Sequence, residues 1–168
     1  AIDTRCLVFW TELNTSWDTV ALSSFALGIH MLRYRGHEDG LKIKPLSGAA
    51  EATFSSDGRF ILASTPFYLI KPVYQPESAG ILNAESGEVI RAIDDAIHAA
   101  SWSPDGRAII ARSALEDAIR TYAVATGEHL RTFHGNTGGF AISRVDPSSQ
   151  RLVSFSGNRT LRVLNFES

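Results

Sequence analysis

A short motif recurs along this chain: a hydrophobic residue leads into a tight polar turn and then into a brief apolar strand. The two clear copies are Phe54-Ser55-Ser56-Asp57-Gly58-Arg59 before Phe60-Ile61-Leu62-Ala63, and Trp102-Ser103-Pro104-Asp105-Gly106-Arg107 before Ala108-Ile109-Ile110-Ala111. A weaker copy, Val145-Asp146-Pro147-Ser148-Ser149-Gln150-Arg151, precedes Leu152-Val153-Ser154-Phe155. Asp-Gly between apolar runs signals a hairpin, because glycine takes positive φ without steric cost. One such turn constrains little, whereas recurrence at a near-fixed interval defines an array of similar units.

The units can be laid out from these turns. Strands are predicted at Ala49 to Phe54, Phe60 to Ser64, Ala79 to Asn83 and Val89 to Ile93, with Glu85-Ser86-Gly87-Glu88 as the last hairpin. The next unit repeats the layout at Ile97 to Trp102, Ala108 to Arg112, Ala118 to Val124 and His129 to Phe133, with Thr126-Gly127-Glu128 as its turn. The last hairpins lie 40 residues apart and the Asp-Gly turns 48, so the earlier unit holds eight extra residues, which fall within Pro66 to Pro76. A third unit starts near Gly139, runs through Leu152 to Phe155 and Thr160 to Leu164, and reaches Ser168 before a fourth strand can be placed.

Residues 1–48 are less legible. Arg5 to Trp10 reads as a strand from its aromatic and aliphatic content, and Asn14-Thr15-Ser16 as a turn. From Val20 to Leu32, apolar residues at 22, 25, 26, 29 and 32 fit a helix, while Ser23, Ser24 and Gly28 also permit two strands; the all-β context favours strands. Arg35 to Gly40 reads as a polar turn, and Leu41-Lys42-Ile43-Lys44 alternates as a half-buried strand does.

Four short strands per unit, at intervals of about 40–45 residues, is the spacing of a β-propeller blade. Over residues 49–168, the order hydrophobic-Ser-Pro-Asp-Gly-Arg, strand, turn, strand, Thr-Gly-Glu, Leu-Arg-Thr-Phe resembles WD40 repeats. Asn158 to Asn165 looks like the segment that names the family, with Leu164-Asn165 in the place of Trp-Asp; Leu82-Asn83 and Tyr122-Ala123 occupy that place in the preceding units. No unit keeps Trp-Asp, and His134-Gly135 reverses the usual Gly-His, so the Asp-His-Ser/Thr-Trp hydrogen-bond network of a WD40 blade is expected to be incomplete here. The resemblance implies a divergent, all-β, WD40-like propeller built from four-stranded antiparallel blades. Three to four units are expected here, as part of a larger propeller, with residues 1–48 forming a degenerate blade. Since one blade cannot cover its own two faces, the ring is expected to be completed by more of the same polypeptide or by another, the alternative being a closed four-bladed ring with residues 1–48 as one blade.

Composition narrows the function classes. The apolar fraction of 44% fits a globular chain. The longest mostly apolar stretch, Val20 to Leu32, falls short of the ~20 residues a spanning helix needs. Acidic Asp3 stands where a secretory leader would be basic, and the single Cys6 cannot form an internal disulfide, which together point to an intracellular protein of cytoplasm or nucleus. Residues 75–128 carry four basic and nine acidic groups and residues 129–168 five and two, yet neither is a run of like charge.

No motif for catalysis, metal or cofactor emerges. His30, His37, His98, His129 and His134 follow no ligand spacing, and Gly135-Asn136-Thr137-Gly138-Gly139 lacks the Lys-Ser/Thr of a phosphate loop. Asp94-Asp95 and Glu116-Asp117 are predicted to be solvated loop pairs. Arg33, Arg35, Lys42 and Lys44 form one basic cluster, and Arg144, Arg151, Arg159 and Arg162 another; nearby acids and the lack of interleaved aromatics weigh against nucleic acid. The insertion is more suggestive. Phe67, Tyr68, Ile70, Lys71 and Tyr74, held between prolines, either form a protein-interaction loop or lengthen the outer hairpin and pack on the next blade. The resemblance then implies a non-catalytic scaffold for proteins of a complex, with no cofactor and no membrane contact. The alternatives are a propeller accessory to a hydrolase or other enzyme, and a nucleic-acid-contacting propeller in a ribonucleoprotein.

Overall fold

The computed structural model describes residues 8–13, 19–24, 28–33, 51–64, 79–93, 95, 97–113, 115–135, 141–148, 150–157 and 159–166. Among these the regular structure is strand alone, arranged in four antiparallel sheets whose strands follow chain order. The first sheet holds β1 (Val8–Leu13), β2 (Thr19–Ser24) and β3 (Gly28–Arg33); the second β4 (Glu51–Phe54), β5 (Phe60–Ser64), β6 (Ala79–Asn83) and β7 (Val89–Ile93). The third holds β8 (Ile97–Trp102), β9 (Ala108–Ser113), β10 (Ala118–Ala123) and β11 (His129–His134); the fourth β12 (Ala141–Val145), β13 (Arg151–Ser156) and β14 (Leu161–Asn165). The stretch from Val20 to Leu32 is thus two paired strands, with Val20 opposite Leu32 and Ser24 opposite Gly28. The first strand extends beyond Trp10 to Leu13, while Asn14 to Ser16 and residues 34–50 lie outside the described residues.

The repeated turns are held by one hydrogen-bond scheme. The Ser55 hydroxyl donates to Asp57 Oδ1 at 2.6 Å and accepts the Phe60 amide at 3.0 Å, while Asp57 Oδ1 also accepts the Arg59 amide at 3.0 Å. Ser103, Asp105, Arg107 and Ala108 reproduce the scheme, with the hydroxyl-to-carboxylate bond at 2.5 Å. Gly58 and Gly106 both sit at φ 69°, a conformation that a Cβ would strain. The weaker third copy keeps the hydroxyl-to-carboxylate bond with the two side chains exchanged, and there the carboxylate alone accepts both amides. Asp146 stands in the serine position and accepts the Gln150 and Arg151 amides, each at 2.8 Å, and the Ser148 hydroxyl donates to it at 2.6 Å. The exchange is accommodated because a carboxylate in the serine position can accept both amides and the hydroxyl together.

Stacking of the sheets explains why the middle strands read as unbroken apolar runs. Ile109 and Ile110 are neighbours on β9, point to opposite faces and are both fully buried. Ile109, Ala111 and Tyr122 meet Leu62, Ile81 and Ile93 of the second sheet. Ala108, Ile110 and Ile119 meet Leu152 of the fourth sheet and Phe166 beyond it. Each buried isoleucine contributes about 1.5–3 kcal/mol. Backbone adjustments knit the second sheet to the third: at Ala99, φ is 47° and the register between β8 and β9 shifts, and the next amide, Ala100, donates to Ser64 Oγ at 3.3 Å. Trp102 Nε1 donates to the Thr53 carbonyl at 3.0 Å.

These turns set an acid sensitivity. Hydrogen bonds from Ser55 and Arg59 hold the Asp57 carboxyl below its ordinary value of 3.8, and those from Ser148, Arg151 and Gln150 do the same for Asp146. Depressed values favour the folded state above about pH 4, and that contribution is lost as pH falls through the folded-state values. Urea midpoints measured from about pH 5 down to about pH 2 should therefore fall less steeply in Asp57→Asn, Asp146→Asn protein than in the parent. Separately, Ser103→Ala leaves the buried Ala108 amide without its acceptor and should cost about 1–3 kcal/mol by urea unfolding.

Candidate functional site

Connections in an antiparallel meander alternate between the two ends of a sheet, so the chain presents two rims. One carries the turns at 55–59, 84–88, 103–107, 124–128 and 146–150. The other carries the connections around Asp95, Glu116, Gly135 and Arg159, together with Ser64 and Ala79, the strand ends that flank the eight-residue excess. The candidate interaction residues themselves, Phe67, Tyr68, Ile70, Lys71 and Tyr74, lie outside the described residues, as does Asp94.

At the second rim a charged network ties the connection between the second and third sheets to β10 of the third, and it changes the reading of the acidic pairs. Asp95 is half-buried and binds both Arg120 and Tyr122. Arg120 Nη1 donates to Asp95 Oδ1 and Oδ2 at 2.7 and 2.6 Å, and the Tyr122 hydroxyl donates to Oδ2 at 2.6 Å. Arg120 Nη2 donates to Glu116 Oε1 at 2.5 Å, and Glu116 is itself positioned by its amide bond to Ser113 Oγ at 3.1 Å. Asp95 and Glu116 are therefore structural partners of one arginine rather than purely solvated loop acids. Burial foremost, then the bond to Asp95, pushes the Tyr122 hydroxyl well above its ordinary range, so it stays a donor; the bond to Asp95 likewise raises Arg120. Tyr122 occupies the place of the tryptophan in the WD40-like reading, so a Tyr-Asp-Arg network stands where the expected one is incomplete. A charged residue two positions before an aromatic on β10, with an aspartate just before β8, was the available signal.

At the first rim each complete sheet ends in a bulge that sorts two neighbouring side chains. Leu82 pairs with Val89 and Ile81 with Arg91, which leaves Ile90 without a partner across the strands; Tyr122 pairs with His129 and Thr121 with Arg131, which leaves Leu130 likewise. The bulged Ile90 and Leu130 are 47% and 50% exposed. The arginine after each bulge reaches the following sheet: Arg91 Nη1 donates to the Thr126 carbonyl at 2.9 Å and Arg131 Nη1 to the Asn165 carbonyl at 3.4 Å. Gly127 makes room for the first of these. Its φ is 77°, and a Cβ there would lie 2.9 Å from Arg91 Cδ. Between the second and third sheets this rim opens into a groove of about 550 Å³, lined by Phe60, Ile81, Ile90, Arg91, Arg107 and Val124, with Gly106 and Ala125 completing it.

The remaining candidates are dispersed. Arg151 opens β13 and Arg159 follows its far end, while Arg162 lies against Gly135 of the preceding sheet, so the later basic cluster is not one patch. His134 Nδ1 lies 4.0 Å from Glu116, and His129 Nε2 is 2.8 Å from Thr132 Oγ1. Among the described residues no three His, Cys, Asp or Glu side chains converge as metal ligands, and no helix is long and apolar enough to cross a membrane.

Successive antiparallel meanders, stacked face to face with turns gathered on two rims, define the β-propeller fold. The chain is similar in structure to the β-propeller domain of Cps50 (Swd1) from Myceliophteria thermophila, with a TM-score of 0.74 over 98% of its length and 11% sequence identity. It spans 55% of that chain, so it corresponds to about half of such a domain. No family model and no curated protein sequence matches it. The propeller expectation is thereby borne out as a fold, and the sheets serve as its blades. Within it, Tyr122→Phe and Asp95→Ala should each lower stability by about 1–3 kcal/mol. The double variant should lose less than the two losses combined, since each substitution removes the same 2.6 Å bond, and a double-mutant cycle in urea measures the coupling.

Proposed function

We propose that the chain is a non-catalytic protein-interaction scaffold: a length of WD40-like propeller, with residues 1–48 as a degenerate blade, working inside the cell within a multiprotein assembly. The observation that carries this reading is the outward face of the fourth sheet. Its inward face is buried at Leu152, Ser154 and Ser156, whereas Phe155, Leu161 and Val163 on the other are 45%, 62% and 55% exposed. Phe155 pairs with Leu161 and Val153 with Val163, so these side chains form one continuous apolar patch.

A pleated apolar face of this kind is complementary to a second sheet, and a nucleic-acid backbone offers it no apolar surface to bury. The occupant in this reading is the next blade of the ring, from the same polypeptide or a partner subunit. The coverage of only 55% of the Cps50 domain supports it, since a propeller of that size needs further blades. The lone Cys6 fits a reducing compartment, cytoplasm or nucleus.

Leu161→Lys with Val163→Lys tests this. Burying two unpaired charges against a neighbouring blade should cost at least about 2 kcal/mol. Native mass spectrometry should then show a smaller particle where a partner supplies the blade, or thermal unfolding a lower midpoint where the same chain does. If particle mass and midpoint both match the parent, the scaffold reading fails.

A further inference from the structure

The groove at the first rim has a composition that the turns alone do not require. Phe60 and Ile81 belong to β5 and β6, the bulge at Ile90 places an aliphatic side chain at one lip, and Val124 and Ala125 come from the turn after β10. Its volume of about 550 Å³ lies in the range of about 300–1,000 Å³ typical of ligand sites. Two guanidinium groups, Arg91 and Arg107, border this apolar surface, and no carboxylate is among the described lining residues. The nearest acid in sequence, Asp105, is turned onto its own loop, where its Oδ1 accepts from Ser103 Oγ and the Arg107 amide. Arg91 is already oriented by its 2.9 Å bond to the Thr126 carbonyl, which limits the side-chain entropy lost when a ligand binds beside it.

We propose that this groove between the second and third sheets binds a short extended segment of a partner protein in which an apolar side chain is flanked by carboxylates. The apolar side chain enters between Phe60, Ile81, Ile90 and Val124, and the flanking carboxylates meet Arg107 and Arg91. Charge-assisted arginine–carboxylate bonds set against an apolar anchor give both direction and affinity, and they exclude segments whose flanking charge is positive. The inference rests on the scaffold reading only in taking the occupant to be protein. It assigns that occupant to the rim opposite Ser64, Ala79 and Asp95.

An array of immobilised hexapeptides permuting Leu, Phe, Asp, Glu and Lys provides the probe, read with fluorescently labelled protein and followed by fluorescence polarisation on the best binder. Peptides with an aliphatic or aromatic residue between acids should be retained, and their lysine counterparts should not. Arg107→Glu and Ile90→Asp, both at exposed positions, should each weaken binding at least ten-fold while leaving the melting temperature near that of the parent. Leu115→Asp, 79% exposed on the other rim, should leave binding unchanged. Equal retention of acidic and lysine peptides, or unaltered binding by both groove variants, overturns the proposal. The Leu161→Lys, Val163→Lys protein separates the two readings. If that variant shows the predicted assembly or stability defect while the parent fails to prefer acidic peptides, the groove inference alone falls. If it shows no defect while the parent prefers acidic peptides, the scaffold reading falls and the groove stands.

Discussion

Two adjacent isoleucines, Ile109 and Ile110, set the central constraint: they point to opposite sides of one strand and neither touches water. A sheet apolar on both faces has no stable existence alone, so every blade depends on the one before and the one after. This dependence explains the unbroken run Ala108-Ile109-Ile110-Ala111, where a sheet with one wet face would alternate. It also explains the buried small residues Ala52, Ala100 and Ala108, which let neighbouring blades approach closely.

Apolar stacking is non-directional, and the polar contacts between blades supply the alignment it lacks. Arg91 and Arg131, one in each complete blade, reach forward to a backbone carbonyl of the next, from the same position after the same bulge. At the opposite rim Asp95 draws together Arg120 and Tyr122. The arginines thereby fasten each complete blade to the next at the first rim, while Asp95 fixes the connection entering the third sheet against its own β10.

Local rules made much of this legible and tertiary contacts made the rest invisible. Asp57-Gly58 and Asp105-Gly106 mark their hairpins because the chemistry of the turn lies within six residues, and the strands follow with boundaries off by a residue or so at Ser113, Ala123 and His134. Asp95 read as a solvated loop acid because its partners, Arg120 and Tyr122, lie 25 and 27 positions away. Arg144, Arg151, Arg159 and Arg162 read as a cluster by proximity in sequence, whereas a six-residue strand separates two of them in space. The groove was beyond a sequence reading for the same reason, since it takes Phe60 and Ile90 from one blade and Arg107 and Val124 from the next.

The exchanged turn at Asp146 and Ser148 bears on how such chains diverge. Ser-x-Asp and Asp-x-Ser both set one hydroxyl against one carboxylate, yet the two single-substitution intermediates do not: Ser-x-Ser lacks the carboxylate, and Asp-x-Asp sets two negative charges side by side with no hydroxyl to bridge them. Substitution at these two positions is therefore expected to be correlated, with a weakened turn on either route between the two forms. A profile that scores each position by itself counts two mismatches where the molecule keeps one bonded pair. Blades can in this way drift beyond recognition by residue identity while the geometry that stacks them is preserved.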